Sequence, residues 1–230
     1  DAVQLKGAER LARIAAELNL EKMVHLSGLG ADEEGQSAYA QTKAAGEAAI
    51  LAHMPDAMIL RPSVIFGTED QFFNRFAGMS KFGPILPIAG AGSRFQPVYV
   101  DDVAKAAVCG ILGQAPGGIY ELGGPDVASL GDLMHQMLTV IQRRRLVLNL
   151  PFFAARLMAL GFDSAQTLSL GLFHNGILTR DQVKQLAEDN VVSETAKGFT
   201  DLGIEPTPMA SVLPDYLWRY RPSGQYAEIK

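Results

Sequence analysis

Strand-length apolar runs alternate along this chain with stretches of helical period, and that alternation constrains the fold more than any other feature. KMVHLSG (22–28), AMILRPS (57–63), PILPIAG (84–90), QPVYV (96–100) and GIYELGG (118–124) are short and apolar, the pattern of buried strands. Between them the period changes. From Ala2 to Leu18, apolar residues fall at Val3, Leu5, Ala8, Leu11, Ala12, Ala15 and Leu18, close to the helical repeat. Helices are also expected from Ser37 to His53, around Phe72 to Lys81, over DDVAKAAVCGIL (101–112) with Asp101 or Asp102 as its cap, and from a Ser129 cap to about Ile141. Strands separated by such helices are joined by crossovers, so the sheet is mostly parallel with helices on both faces: an α/β, doubly wound parallel sheet.

Beyond residue 142 the texture changes. RRRLVLNL (143–150) reads as a strand behind a basic run, and PFFAARLMALGF (151–162) as a helix with Pro151 at a tolerated first position. TRDQVKQLAEDN (179–190) reads as a short helix capped by Thr179, and SETAKGFTDLG (193–203) ends on a glycine suited to a helix C-terminus. The expected organisation is a sheet domain over 1–142 and a smaller, mainly helical lobe over 143–230. The large apolar groups of PFFAARLMALGF and TLSLGLF (167–173) are read first as core, with a docking or lipid-facing surface as the alternative.

Composition removes several function classes. A net charge of −5 argues against a general nucleic-acid binder, which needs a basic stripe or patch. Arg143, Arg144 and Arg145 form a local basic run, read first as a solvated loop end and second as a contact for acidic lipid headgroups. A single cysteine, Cys109, permits no internal disulfide and reads as a small buried hydrophobe. His25, His53, His135 and His174 show no metal-ligand spacing, so no metal site is expected. No run approaches the roughly 18 apolar residues of a membrane span and no signal peptide is visible, so the chain reads as cytosolic or matrix-like.

The chemistry-bearing stretch is SAYAQTKAAGE (37–47). Four residues apart on a helix, Tyr39 and Lys43 share a face one turn apart. An ammonium close to a phenol favours phenolate and lowers its pKa toward a range useful for acid/base chemistry, while the same lysine can hydrogen-bond ribose hydroxyls. The helix follows the buried run MVHLSG, whose carboxyl end opens toward the crevice where open α/β sheets bind ligands.

The ordered set VHLSGLGA, SAYAQTK, LRPSVIFG, PVYVDDVAKA and YELGGPDVASLGDL resembles the extended and atypical short-chain dehydrogenase/reductase superfamily. With LPIAGAGSRFQPVYVDDVA, TRDQVKQLAEDNVV, LGIEPTP and PDYLWRYRPSG, the similarity is greatest to the branch of nucleotide-binding accessory subunits of respiratory complex I, of the alpha-subcomplex subunit nine type, with their bacterial relatives. The resemblance implies a Rossmann-like fold, with Tyr39 and Lys43 at the family's catalytic positions. It also implies Ser27, Gly28 and Leu29 as the strand end beneath the cofactor, and Pro62, Ser63, Val64 and Ile65 on the nicotinamide side. Phe72, Asn74, Arg75, Phe95 and Gln96 fall in substrate-lobe insertions around 70–98. The implied cofactor is NADP(H) or NAD(H), with NADPH placed first. The implied partners are other subunits of respiratory complex I and lipid headgroups near the membrane, with a peripheral place on the cytoplasmic face of a bacterial inner membrane or the mitochondrial matrix side.

Two departures from the family pattern shape the expected role. Extended members usually keep a catalytic Ser or Thr where this chain has Leu29, and a leucine cannot hydrogen-bond a carbonyl or alkoxide; a lost donor in related oxyanion sites commonly costs about 3 kcal/mol. Ser27 and Ser37 are the nearby hydroxyls that could substitute. The second departure is the Gly-rich pyrophosphate turn: GLGADE and GAGSRF lack its third glycine and read as ordinary turns. The family pattern places that turn and the first strands upstream of Asp1, so the chain is expected to be a partial copy with an open sheet edge. Phe95, about where sugar-nucleotide epimerases often keep an arginine, argues against a nucleotide-sugar substrate. The expected role is thus cofactor binding and assembly without turnover, with an active oxidoreductase or epimerase using Tyr39 and Lys43 as the alternative.

Overall fold

The computed structural model describes residues 2–168, 179–224 and 226. A π-helical turn, Ala2–Gly7, opens the chain and runs into α1 (Ala8–Glu17). There follow β1 (Val24–Leu26), α2 (Ala38–His53), β2 (Met58–Pro62), β3 (Ile65–Phe66) and α3 (Phe73–Met79). Then come β4 (Ile85–Ala89), β5 (Arg94–Phe95), β6 (Val98–Tyr99), α4 (Val100–Ile111), β7 (Gly118–Leu122), β8 (Ala128–Ser129) and α5 (Leu130–Val140). The chain continues with β9 (Leu146–Leu150), α6 (Phe152–Leu168), α7 (Arg180–Gln185) and α8 (Met209–Leu217). The SLGLF end of the TLSLGLF run and His174 lie outside the described residues.

The helix-forming signals act locally as expected at Ser37, Ser129 and Thr179. Ser37 takes an extended backbone (φ −97°, ψ 142°) and its hydroxyl accepts from Ala40 N, starting α2. Ser129 does the same for Asp132 N at α5, and Thr179 with Gln182 forms a reciprocal capping box on α7. Neither Asp101 nor Asp102 caps α4. Its N-cap is Tyr99, and Asp102 is fully buried, accepting from Thr207 N at 2.6 Å and Lys105 Nζ at 2.8 Å.

Two compact units divide the chain. The first comprises Asp1–Gly67, Gln96–Val127 and Asn190–Val212. Its centre is a parallel sheet in the order β1-β2-β7, with Val24 opposite Met58, Leu26 opposite Leu60 and Pro62 opposite Leu122. Alternation along β2 sends residues to two layers. Met58 and Leu60 join Val98, Val103, Ala106, Tyr120, Leu122 and Phe199 in one buried cluster, while Ala57 and Ile59 join Ala8, Ala12 and Ile50 in the other. Gly110 lets α4 lie close to the strands: a Cβ there would come within 2.8 Å of Val24 Cγ2. A parallel β3-β6 pair completes the unit's strands.

The second unit comprises Thr68–Phe95, Ala128–Asp189 and Leu213–Lys230. It holds the parallel β4-β9 ribbon, the antiparallel β5-β8 pair, α3, α5, α6 and α7. Ala89, Ala155, Ala159 and Val183 form a small buried cluster there. The division into units is interleaved, whereas the sequence reading draws one boundary after residue 142. Pairing explains the difference for 190–212: Glu121 N donates to Lys197 O, Ser193 N to Glu121 Oε2 and Ser63 Oγ to Asn190 Oδ1, so this stretch lies along β7.

Candidate functional site

The carboxyl ends of the parallel strands form a ledge in the first unit. Ser27, Gly28 and Leu29 leave β1 there, and Ser27 N donates to Leu60 O while Leu29 N donates to Pro62 O at 2.9 Å. Pro62 closes β2, and Ser63 N donates to Leu122 O on β7. Val64 O accepts from Val98 N, and Ile65 opposite Val98 continues the same edge. All the ledge residues named from the sequence are thus brought together by strand pairing.

Helix α2 leans over this ledge. Tyr39, in its first turn, packs so tightly on Gly28 that any Cβ at residue 28 would collide with the phenolic oxygen. Lys43 lies one turn on, its Nζ 3.4 Å from Leu26 O and 5.7 Å from the centre of the Tyr39 ring. Burial lowers the Lys43 pKa, opposed by the Glu47 carboxylate. Burial raises the Tyr39 pKa. The direction is opposite to the one expected from the lysine's proximity, and its cause is burial.

Sequence reasoning missed what lies beneath the pair. Glu47 extends the Tyr39–Lys43 face by another turn, and its side chain is 4% exposed. Arg61 on β2 clamps it, with Nη2 at 2.6 Å from Oε2 and Nε at 3.0 and 3.1 Å from the two oxygens, and Ser27 Oγ donates to Oε1. The hydrogen bonds Arg61 donates to Glu47 are the main reason its pKa is raised. His25 sits on β1, two residues before Ser27; burial chiefly, then Lys43, lowers its pKa, while Glu47 opposes. The signal was present as Tyr39-x-x-x-Lys43-x-x-x-Glu47, two consecutive i,i+4 steps.

Both nearby hydroxyls already have structural partners. Ser27 is held by Glu47, and Ser37 is the α2 cap. Leu29 itself is 8% exposed. Ser63 Oγ donates 2.6 Å to Asn190 Oδ1. The ledge therefore presents a phenol and an ammonium, with its nearest serine hydroxyls engaged in structure.

Of the residues expected in the substrate lobe, Gln96 belongs to the first unit, where Nε2 donates to Gly124 O and Oε1 accepts from Val192 N. The other four belong to the second. There Phe72 and Phe95 have ring centres 6.1 Å apart, Asn74 bridges Thr68 O and Arg219 Nη2, and burial lowers the Arg75 pKa. GLGADE and GAGSRF form turns, with Gly30 at φ +78° and Gly90 at φ +71°, and neither leads into a helix as a pyrophosphate-binding turn does. Among the described residues no group of three His, Cys, Asp or Glu could hold a metal ion, and no helix is long and apolar enough to cross a membrane. Cys109 is buried in α4.

Comparison with known proteins gives these features a context. Residues 21–113 match the 3-beta hydroxysteroid dehydrogenase/isomerase family. The chain is 36% identical over 222 residues to the mitochondrial NADH dehydrogenase [ubiquinone] 1 alpha subcomplex subunit 9 of Arabidopsis thaliana, covering 94% of this chain and 55% of the plant protein. It is 29% identical over 225 residues to the mitochondrial NADH-ubiquinone oxidoreductase 40 kDa subunit of Neurospora crassa, covering 97% of this chain and 57% of the fungal protein. The chain thus spans about half the length of the relatives it matches. Among solved structures, a dTDP-glucose 4,6-dehydratase from Bacillus anthracis str. Ames in complex with NAD superposes with a TM-score of 0.66 at 14% identity, covering 94% of this chain and 67% of that one, which shows a shared fold.

Proposed function

The chain belongs to the extended short-chain dehydrogenase/reductase superfamily, and from that premise we propose that it is a nicotinamide-dinucleotide-binding accessory subunit of a respiratory NADH:quinone oxidoreductase, holding its cofactor without turnover. The observation that carries the reading is the ledge: a Tyr–Lys helix seated on the carboxyl ends of parallel strands, with Leu29 where the family keeps a hydroxyl. The residues present fit the nicotinamide and ribose half of a dinucleotide. Gly28 leaves room for the Tyr39 hydroxyl at the strand end, and the Lys43 ammonium stands one turn along the same helix face. When bound, the nicotinamide ring would be capable of hydride transfer, a capacity this reading leaves unused. In this reading Lys43 would hold ribose hydroxyls, Tyr39 would orient the ring, and Pro62 to Ile65 would line the nicotinamide side. NADPH is the proposed form, and the proposed partners are other subunits of the oxidoreductase, in keeping with the relatives being subunits of such complexes.

A bound dinucleotide stabilises the native state alone, by about 2.7 kcal/mol at a hundredfold excess over Kd. The experiment is to purify the full-length protein, measure nucleotide released on denaturation, and follow unfolding with added NADPH or NADH. Released nucleotide and an upward shift support the reading; an empty protein that gains no stability contradicts it.

The intact Tyr39–Lys43 pair favours a second reading, an active oxidoreductase or epimerase with Tyr39 as acid/base. Tyr39→Phe separates the two. An enzyme loses turnover by roughly two to four orders of magnitude, as for other positioned acid/base groups, whereas a holder keeps its assembly and most of its nucleotide affinity.

A further inference from the structure

Three consecutive residues at the end of β1 each meet a different side chain of α2. Gly28 takes the Tyr39 phenol, Leu26 O accepts from Lys43 Nζ at 3.4 Å, and Ser27 Oγ donates to Glu47 Oε1. Tyr39, Lys43 and Glu47 follow one another at two i,i+4 steps, so one stripe of the helix is fastened to one strand end. The cofactor reading uses the first two side chains and leaves Glu47 without a role.

The plain alternative is that the Glu47–Arg61 pair only staples α2 to the sheet. A buried ion pair is a poor staple, since apolar side chains of similar volume in its place are often as stabilising or more so. What sets this carboxylate apart is the company it keeps. It holds Ser27 on the strand end and Arg61 on β2 at once, and it stands one helical turn from Lys43, a spacing at which carboxylate and ammonium attract. The other titratable groups beside Lys43 are Tyr39 on α2 and His25 on β1. Burial keeps the first a neutral phenol and the second a neutral imidazole at neutral pH. Arg61 is bonded to Glu47, and Asp32 and Glu121 bear on Arg61. Burial favours a neutral Lys43 amine, and the Glu47 carboxylate opposes it.

We propose that Glu47 is the positioning residue of the ledge: locked by Ser27 and Arg61, its carboxylate ties the end of β1 to α2 and keeps Lys43 an ammonium. This role rests on the reading of the ledge as a dinucleotide site, where that ammonium donates to ribose hydroxyls; the charge on Lys43 is a property of the chain itself. A charged donor makes the stronger hydrogen bond, so the grip is present while Lys43 is protonated and is lost as pH rises through its pKa. Without the Glu47 carboxylate, burial acts unopposed and the loss begins at lower pH.

The test compares the purified full-length protein with two variants, each checked for folding by far-ultraviolet circular dichroism. Glu47→Gln keeps the side chain's shape and an acceptor for Ser27. Glu47→Met combined with Arg61→Met replaces the pair by apolar groups and retains the fold even where the amide variant does not. Lys43 is read first, without nucleotide: acetic anhydride attacks only the free amine, and acetylation at Lys43 is followed by peptide mass spectrometry between about pH 6 and 10. Its midpoint is expected at lower pH in both variants. NADPH affinity is then titrated over the same range. The ratio of variant to parent Kd is expected to rise with pH, reaching about ten-fold near pH 9, the loss of one hydrogen bond to a charged group. A staple without influence on Lys43 would change Kd by the same factor at every pH. An unmoved acetylation midpoint in the folded variants overturns the proposal, and so does a moved midpoint with a Kd ratio that ignores pH. A parent that binds no NADPH while the variants move the midpoint overturns the dinucleotide reading and leaves the hold of Glu47 on Lys43 standing.

Discussion

The α2 ledge and the β4-β9 ribbon depart from ordinary burial in opposite directions. Around the ledge the first unit buries a charge, Glu47, and supplies it with Arg61 and Ser27; it buries Asp102 as well, with Lys105 and Thr207 N as partners. The ribbon does the reverse, leaving large apolar side chains in solvent and excluding carboxylates from both its strands. Buried charge needs a dedicated partner for each atom and therefore fixes geometry, whereas exposed apolar surface fixes none and contributes no stability until a second surface covers it. The proposed cofactor site belongs to the first kind of surface.

The sharpest way to break this contrast is to remove Glu47. Glu47→Ala leaves the Arg61 guanidinium without its carboxylate in a mostly buried site and is expected to cost about 3–5 kcal/mol in denaturant unfolding. Arg144→Ala, on the other side of the comparison, is expected to stay within about 0.5 kcal/mol. Equal costs would show that the ledge network is no more constrained than a surface charge. Next in size is Gly28→Ala, whose new methyl collides with the Tyr39 hydroxyl and forces α2 off the strand end. Overpacking of this kind typically costs about 1–3 kcal/mol, and the variant is expected to lose its stabilisation by NADPH as well. Ser63→Ala removes one hydrogen bond to Asn190 and is expected to cost about 1 kcal/mol, since backbone pairing still holds 190–212 beside β7.

The smallest effect is a pH dependence. His25 has a folded pKa below the ordinary 6.5, chiefly through burial. The unfolded chain then binds its proton first as pH falls, so stability is full above about 6.5 and declines below it. His25→Gln is expected to flatten that limb in unfolding midpoints measured between about pH 7 and 5. An unchanged slope would show that His25 is solvated like an exposed histidine.

Much of this was legible from local pattern. The βαβ alternation places β1, β2 and β7 as expected, and Ser37, Ser129 and Thr179 cap their helices because capping is decided within four residues. Gly28, Tyr39 and Lys43 come together because a strand end and the first turn of the next helix are close in chain as well as in space. Long-range effects were not legible. Asp102 resembles a cap in sequence, but its partner Thr207 lies 105 residues away. The interleaved units follow from 190–212 pairing along β7, which no local period encodes. The Tyr39 pKa depends on how much water the fold removes, and the spacing to Lys43 says nothing of that.

The central claim is that the Tyr39–Lys43 ledge grips a dinucleotide, and its most direct test is an NADPH titration of unfolding midpoints for the full-length protein and its Lys43→Ala variant. The account predicts a midpoint that rises with NADPH in the parent and scarcely moves in the variant. A parent that does not respond, or a variant that rises as far as the parent, would contradict it.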